Sequence, residues 1–234
     1  MKKIEIGIRK KSFLVRIPFI GIALFVFLYV VAAQLYPGGS SVDPISRGYS
    51  WLHNYWCDLL DVYAINGVRN PSRQVAIGAM MVMCFCQIFF WHDVPKLLDV
   101  STGMKKIIEY CGTSSMVIGM FLFTEYHDLV VNLGGFLWGI ALALTMVGLY
   151  RTGMFEALWI GEACLGLGAI NYFIFDTGIC LPALAMTQKI ALAAYLYWTG
   201  FMNQAAYRTV KAKKNNQYLP SVVTNKSTKF HKNG

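Results

Sequence analysis

Charge is what this sequence has least of. Asp, Glu, Lys and Arg make up 14% of its 234 residues, against about 25% in an ordinary soluble domain. A chain that covers its whole surface with water-facing side chains is therefore excluded. Acid is scarcer than base, with 12 Asp and Glu against 21 Lys and Arg. Histidine occurs only four times, and no two fall in an H-x-x-x-H or H-E-x-x-H spacing, so a zinc site built on one helix is absent. The six cysteines (Cys57, Cys84, Cys86, Cys111, Cys164 and Cys180) include a C-x-C but no C-x-x-C. That removes the usual redox and zinc motifs. There is no internal repeat.

What the sequence has instead is apolar length. Hydrophobic residues make up 56% of the chain, and they fall in blocks of roughly 18 to 24, the length that crosses about 30 Å of hydrocarbon at 1.5 Å per residue. The blocks cover residues 13–36, 75–91, 107–123, 129–150, 154–175 and 181–202. They predict an all-α integral membrane bundle of six transmembrane helices over residues 13–202, with a basic N-terminal segment at 1–12 and a basic, disordered tail at 203–234. Val31-Ala32-Ala33 has the form of a signal cleavage site. The first block is longer than the usual signal core of about 7 to 15 residues, so a retained helix is expected. The short links between the third and fourth blocks and between the fifth and sixth predict tight antiparallel hairpins.

The Lys and Arg residues then set an orientation. With the N terminus inside, 17 fall on the inner side and three (Arg47, Arg69 and Arg73) on the outer side. This is a strong positive-inside bias, and it predicts both termini in the cytoplasm, in a bacterial inner membrane. The formal net charge of +9 sits beside the apolar blocks. It therefore reads as attraction to anionic lipid headgroups and not to nucleic acid. The expected partners are membrane lipids, together with a membrane protein partner or a second copy of the chain.

The outer loop at 37–73 is the most informative stretch. Trp51, Tyr55, Leu59 and Val62 recur at the spacing of one helix face, predicting an amphipathic interfacial helix at the headgroup level. Asn66-Gly67 reads as a turn. His53, Asp58 and Asp61 in this loop, with Glu125, His127 and Asp128 in the next outer loop, are candidates for an outer polar site. Imidazoles with carboxylates suit Zn²⁺ or another divalent cation, with water in an open position, so His53, Asp58, His127 and Asp128 are the candidate ligands. Loops at a membrane face are also polar for solvation alone. Cys57 and Cys180 both map to the outer side, where a disulfide between them is open.

Inside the apolar blocks, ionisable side chains are costly and therefore informative. Glu162 and Lys189 each lie about 12 Å deep, from opposite sides. Both are on the last hairpin, so an intramembrane ion pair is expected, serving helix register or a proton or substrate path. Extension of Lys189 toward the outer surface is the alternative. Gly134, Gly135, Gly139, Gly161, Gly166 and Gly168 read as sites of close helix packing.

Tyr49-Ser50 followed by Cys57-Asp58-Leu59-Leu60 resembles the first outer loop of a bacterial six-helix membrane family of unassigned biochemical role. In that family Tyr-Ser precedes Ser-Asp-Leu-Gly. Here Cys57 stands in place of Ser and Leu60 in place of Gly. The resemblance covers about residues 46–202 and implies the same six-helix fold. A more distant similarity is to the Frag/DRAM/Sfk group, linked to lipid handling, and to the alkaline ceramidase superfamily. The latter uses a Ser, an Asp and three His at a metal site, but this chain lacks the paired late histidines. These readings leave three expectations for function. They are a membrane protein that binds lipid or a partner through its outer cap, a metal-dependent lipid hydrolase using His53, Asp58, His127 and Asp128, and a carrier using Glu162 and Lys189.

Overall fold

Each apolar block folds as a helix, and Pro18, Pro37, Gly153 and Gly178 mark where several of the helices begin and end. The computed structural model describes residues 16–227, with side chains described through residue 208. It is all-helical, 75% helix with no strands among the described residues. The expected basic segment at 1–12 and the last residues of the tail lie outside the described residues.

Helix α1, Ile17–Leu35, carries Pro18 in its first turn, where a missing N–H costs nothing. It ends before Pro37, which drives the preceding residue to an extended backbone; Tyr36 has ψ 128. Helix α2 is Ser72–Asp93, and a 3-10 turn at Val94–Leu97 carries it into the loop before the next helix. Helix α3, Thr102–Gly119, is capped by Ser101, whose hydroxyl oxygen accepts from the Met104 N–H. Helices α4, His127–Thr152, and α5, Phe155–Thr177, end on Gly153 and Gly178. Both glycines adopt the left-handed backbone, at φ 75 and 69, which costs glycine little. Helix α6 is Leu181–Ser227.

Helix α6 runs past the expected end of the sixth apolar block. The helix does not stop near Met202 but continues to Ser227. Asn203-Gln204-Ala205-Ala206 and the Lys-rich stretch after it contain no glycine. Ala, Gln and Lys all propagate a helix at little cost once it has been nucleated.

The helices pack as three close pairs, α1 with α2, α3 with α4 and α5 with α6. Close approach needs glycine at particular points. A Cβ on Gly21 would sit 2.3 Å from Cys86 Cβ, and one on Gly112 would sit 2.3 Å from the Trp91 ring. Trp91, Trp198 and Phe90 form the aromatic centre of the core. By contrast, α4 and α5 touch much less than the three pairs do, although only Gly153 and Met154 separate them. They share the turn at Gly153 and part toward the opposite end, where the cleft lies.

Among the described residues, four segments are long and apolar enough to cross a membrane: Ile17–Leu35, Ser72–Leu97, His127–Thr152 and Phe155–Thr177. Helix α3 opens with Lys105, Lys106 and Glu109, and α6 carries Lys189, so neither is as apolar. Large apolar side chains also point outward: Phe27, Phe136, Trp159 and Tyr197 are all exposed, Trp159 to 71%. An outward-facing apolar surface of this extent belongs against lipid or another protein.

Candidate functional site

The segment between α1 and α2 builds one end of the molecule, and it is not the amphipathic helix that its spacing predicts. Trp51 and Val62 are about half exposed while Leu59 is fully buried, so the four residues do not share one face. Two isolated antiparallel bridges, Gly38↔Arg47 and Tyr63↔Arg69, fold the segment into a cap, and its only helical piece is a 3-10 turn at Cys57–Leu60. Asn66-Gly67 does turn, with Gly67 at φ 81 and its N–H donating to Ala64 O at 2.8 Å. Side-chain amides replace helical bonds. Asn70 Nδ2 donates to the carbonyls of Asp58, Leu59 and Asp61 at 3.1, 3.3 and 3.0 Å. Arg73 Nε donates to Leu60 O at 2.8 Å.

The inner side of the cap descends into the bundle. Tyr29 OH on α1 donates to Trp56 O at 2.6 Å, and the two rings meet edge to face at 4.1 Å. Asn54 is fully buried. Its Nδ2 donates to Gly39 O at 2.9 Å and to Asp58 Oδ2 at 2.8 Å, and its Oδ1 accepts from Ser50 N at 2.8 Å. Asp58 Oδ2 also accepts from Tyr55 N at 2.8 Å. Lys189 rises from α6 to donate to the Asn54 carbonyl and to Ala185 O at 2.8 Å, near the Tyr49 and Trp56 rings. Burial raises the Asp58 carboxyl above the usual carboxylate value, against the bonds from Asn54 and Tyr55. Asp61 is also raised by burial, with His127 and Arg73 opposing. Burial likewise pushes the Tyr49 phenol above its usual range.

The sequence candidates therefore part company. Asp58 is a structural anchor. His53 takes part through its backbone, its N–H donating to Ser50 and its carbonyl accepting from Ser41 Oγ at 3.2 Å. His127 is placed elsewhere, with Nε2 3.2 Å from Cys57 Sγ and Nδ1 3.0 Å from Asp128 Oδ1. Asp61 is its electrostatic neighbour, and Glu125 is exposed. Among the described residues, no three His, Cys, Asp or Glu side chains converge as the ligands of one ion. The structure does not bring Glu162 and Lys189 together either. Glu162 is exposed on α5, while Lys189 follows the alternative path outward to the cap. All six cysteines are free thiols, Cys57 facing His127 and Cys180 exposed in the α5–α6 turn.

Where α4 and α5 part, they leave a cleft of about 690 Å³ below the cap. Its sides are apolar (Val131, Phe136, Ile140, Leu165 and Phe175 among them), and polar groups gather toward the cap: Cys57, His127, Asn132 and Tyr172. Tyr172 OH donates to Asn132 Oδ1 at 2.9 Å across the opening. Gly135 and Gly139 form part of the wall, and a Cβ on either would meet nothing within 4 Å. Of the glycines expected to sit in close contacts, Gly161 and Gly168 do, against Met146 and Trp138, while Gly135, Gly139 and Gly166 border open space. Gln188 also lines the cleft, and its Oε1 is buried without a hydrogen-bond partner. Sequence reasoning passed over Asn54, Gln188 and the cleft itself. The one available signal was the glycine run on α4, read there as packing.

No family model matches the chain, and no curated protein or solved structure matches it. The resemblance carried by Tyr49-Ser50 and Cys57-Asp58-Leu59-Leu60 thus gains no support from these comparisons, and the function has to be argued from the geometry.

Proposed function

We propose that the chain is a six-span integral membrane protein that binds a membrane lipid in the lateral cleft between α4 and α5, below the cap. The observation that carries this is the shape and polarity of the cleft: about 690 Å³, apolar along its length and polar at one end. That volume lies within the range of small-molecule sites, about 300 to 1,000 Å³. An acyl chain would lie against Phe136, Ile140 and Leu165. A headgroup or backbone carrying a hydroxyl or amide donor would satisfy Gln188 Oε1 and reach His127 and Asn132.

In this reading α3 and α6 are the remaining spans, because a pairwise bundle that places four apolar helices in lipid carries their partners with them. The basic residues of both ends hold the termini at the cytoplasmic face, and the cap closes the opposite face. In the same reading helix α1 is a span of the bundle, supported by Phe25, Tyr29 and Ala32 packing in its core.

The test is lipid retention. Full-length protein purified in mild detergent should carry a lipid, detected by native mass spectrometry. Gly139→Leu, which fills the cleft without touching its polar groups, should lose it. Equal retention in the two proteins would overturn the reading. Tags on both ends reporting opposite compartments would overturn the six-span topology.

A further inference from the structure

One wall of the cleft holds a nucleophile beside a base. Cys57 stands on the 3-10 turn whose carbonyls Asn70 binds, and His127 opens α4, so both are fixed by the fold. Both line the cleft. Sγ lies 3.2 Å from Nε2, and the other imidazole nitrogen, Nδ1, lies 3.0 Å from Asp128 Oδ1. Thiol, imidazole and carboxylate are thus aligned in the order that activates a cysteine for acyl transfer. Cys57 and His127 face the space where a bound chain would end.

Building on the lipid reading above, we propose that Cys57 is an acyl-accepting nucleophile with His127 as its general base, acting on an acyl ester of an amphiphile held in the cleft. Asp128 is a positioning residue. Burial pushes the Cys57 thiol up to about 12, so little thiolate stands ready at neutral pH and the proton must leave during attack. It passes from Sγ to His127 Nε2 as the sulfur lone pair bonds to the ester carbonyl carbon. The carbonyl π pair moves onto oxygen. Collapse re-forms the carbonyl and breaks the C–O bond, and the leaving alkoxide takes the proton from the imidazolium to depart as an alcohol. The product is an acyl thioester on Cys57. Water then adds to the thioester, giving a proton to His127. Collapse expels the thiolate, which takes that proton back, and a fatty acid leaves. No oxidant or reductant enters.

The experiment uses full-length protein in detergent with p-nitrophenyl palmitate as the acyl donor, read by nitrophenolate release and by intact-protein mass spectrometry. The wild type should acquire one palmitoyl adduct on Cys57, removed by neutral hydroxylamine as a thioester is. Cys57→Ala should lack the adduct, and Cys180→Ala should keep it. His127→Gln should slow acylation by about 10²-fold or more, the usual share of a general base. Asp128 is exposed and screened, so Asp128→Asn should slow it less and displace its pH profile. Thermal unfolding followed by circular dichroism, measured on each variant, reports folding, and lipid retention is read on the wild type. A wild type that retains lipid yet forms no adduct overturns this proposal and leaves the lipid reading standing. An adduct that forms as fast in His127→Gln overturns it as well, because the thiol would then react without its base. A wild type that retains no lipid would instead overturn the cleft reading on which it rests.

Discussion

Asn54→Ala is the most direct test of how the cap is held. The side chain is fully buried and joins three separate points of the cap: Gly39 O, Ser50 N and Asp58 Oδ2. Two of these bonds are buried, one of them to a carboxylate. Truncation leaves their partners desolvated and unpaired, at about 1 to 3 kcal/mol for each group. The Ser50 N–H is only partly buried and can regain a bond from water, so it adds little. Asp58 keeps its bond from Tyr55 N, which trims its share. The working figure is about 3 kcal/mol, localised to the cap, because none of the three partners belongs to a long helix. Since about 1.4 kcal/mol is a tenfold change in an equilibrium, cap opening should become roughly a hundred-fold more frequent. Hydrogen–deuterium exchange of peptides spanning residues 39–60 in detergent reads this, with peptides from α2 as the internal reference. Cap exchange within threefold of wild type would refute the account, and so would an equal acceleration in α2.

Other perturbations follow from the same contacts. Asp58 and Asp61 are both raised by burial, so the folded cap binds their protons more tightly than the unfolded chain does. Their contribution is fully present below the ordinary value of about 3.9 and is lost as pH rises through the folded values. Cap protection, taken after dividing out the intrinsic rise of amide exchange with pH, should therefore fall from pH 4 upward, and Asp58→Asn, which keeps the acceptor, should flatten the dependence. Gly112→Ala should destabilise by about 1 to 3 kcal/mol, because its Cβ meets the fully buried Trp91 ring. Gly78→Ala, which meets nothing within 4 Å, should stabilise by up to about 1 kcal/mol through helix propensity. Opposite signs in thermal unfolding check the pair. Glu162→Gln and Lys189→Met should add within about 0.5 kcal/mol in a double-mutant cycle, and a larger coupling would restore the ion pair.

The helices were legible because bilayer-length apolar runs have few other solutions, and their ends because Pro37, Gly153 and Gly178 each act locally. The cap was not. Trp51, Tyr55, Leu59 and Val62 match helical spacing by coincidence, since a loop this rich in large apolar residues places some of them at any chosen interval. What decides its path is Asn54 reaching Gly39 and Asn70 reaching the carbonyls around Leu59. An asparagine in a sequence does not announce which distant carbonyl it will serve. The cleft was hidden for a related reason. Glycine on a helix permits close approach equally to a neighbouring helix and to a ligand, and only the divergence of α4 from α5 separates Gly135 and Gly139 from Gly161 and Gly168.

Lys189 and Glu162 show how much direction matters beyond position. Counted along their helices, the two Cα atoms sit within about 6 Å of the same depth, which is why pairing is expected. In a helix, however, each side chain leans toward its own N terminus. Helix α6 begins at the cap, so Lys189 leans outward and finds the Ala185 carbonyl one turn back and the Asn54 carbonyl beyond it. Helix α5 begins at the other end, so Glu162 leans inward. Antiparallel packing thus turns a small difference in depth into a divergence of the charged groups. The lysine is left to satisfy itself on backbone oxygens, and those oxygens are present because Asn54, tied to Gly39 and Asp58, brings the cap down to meet it.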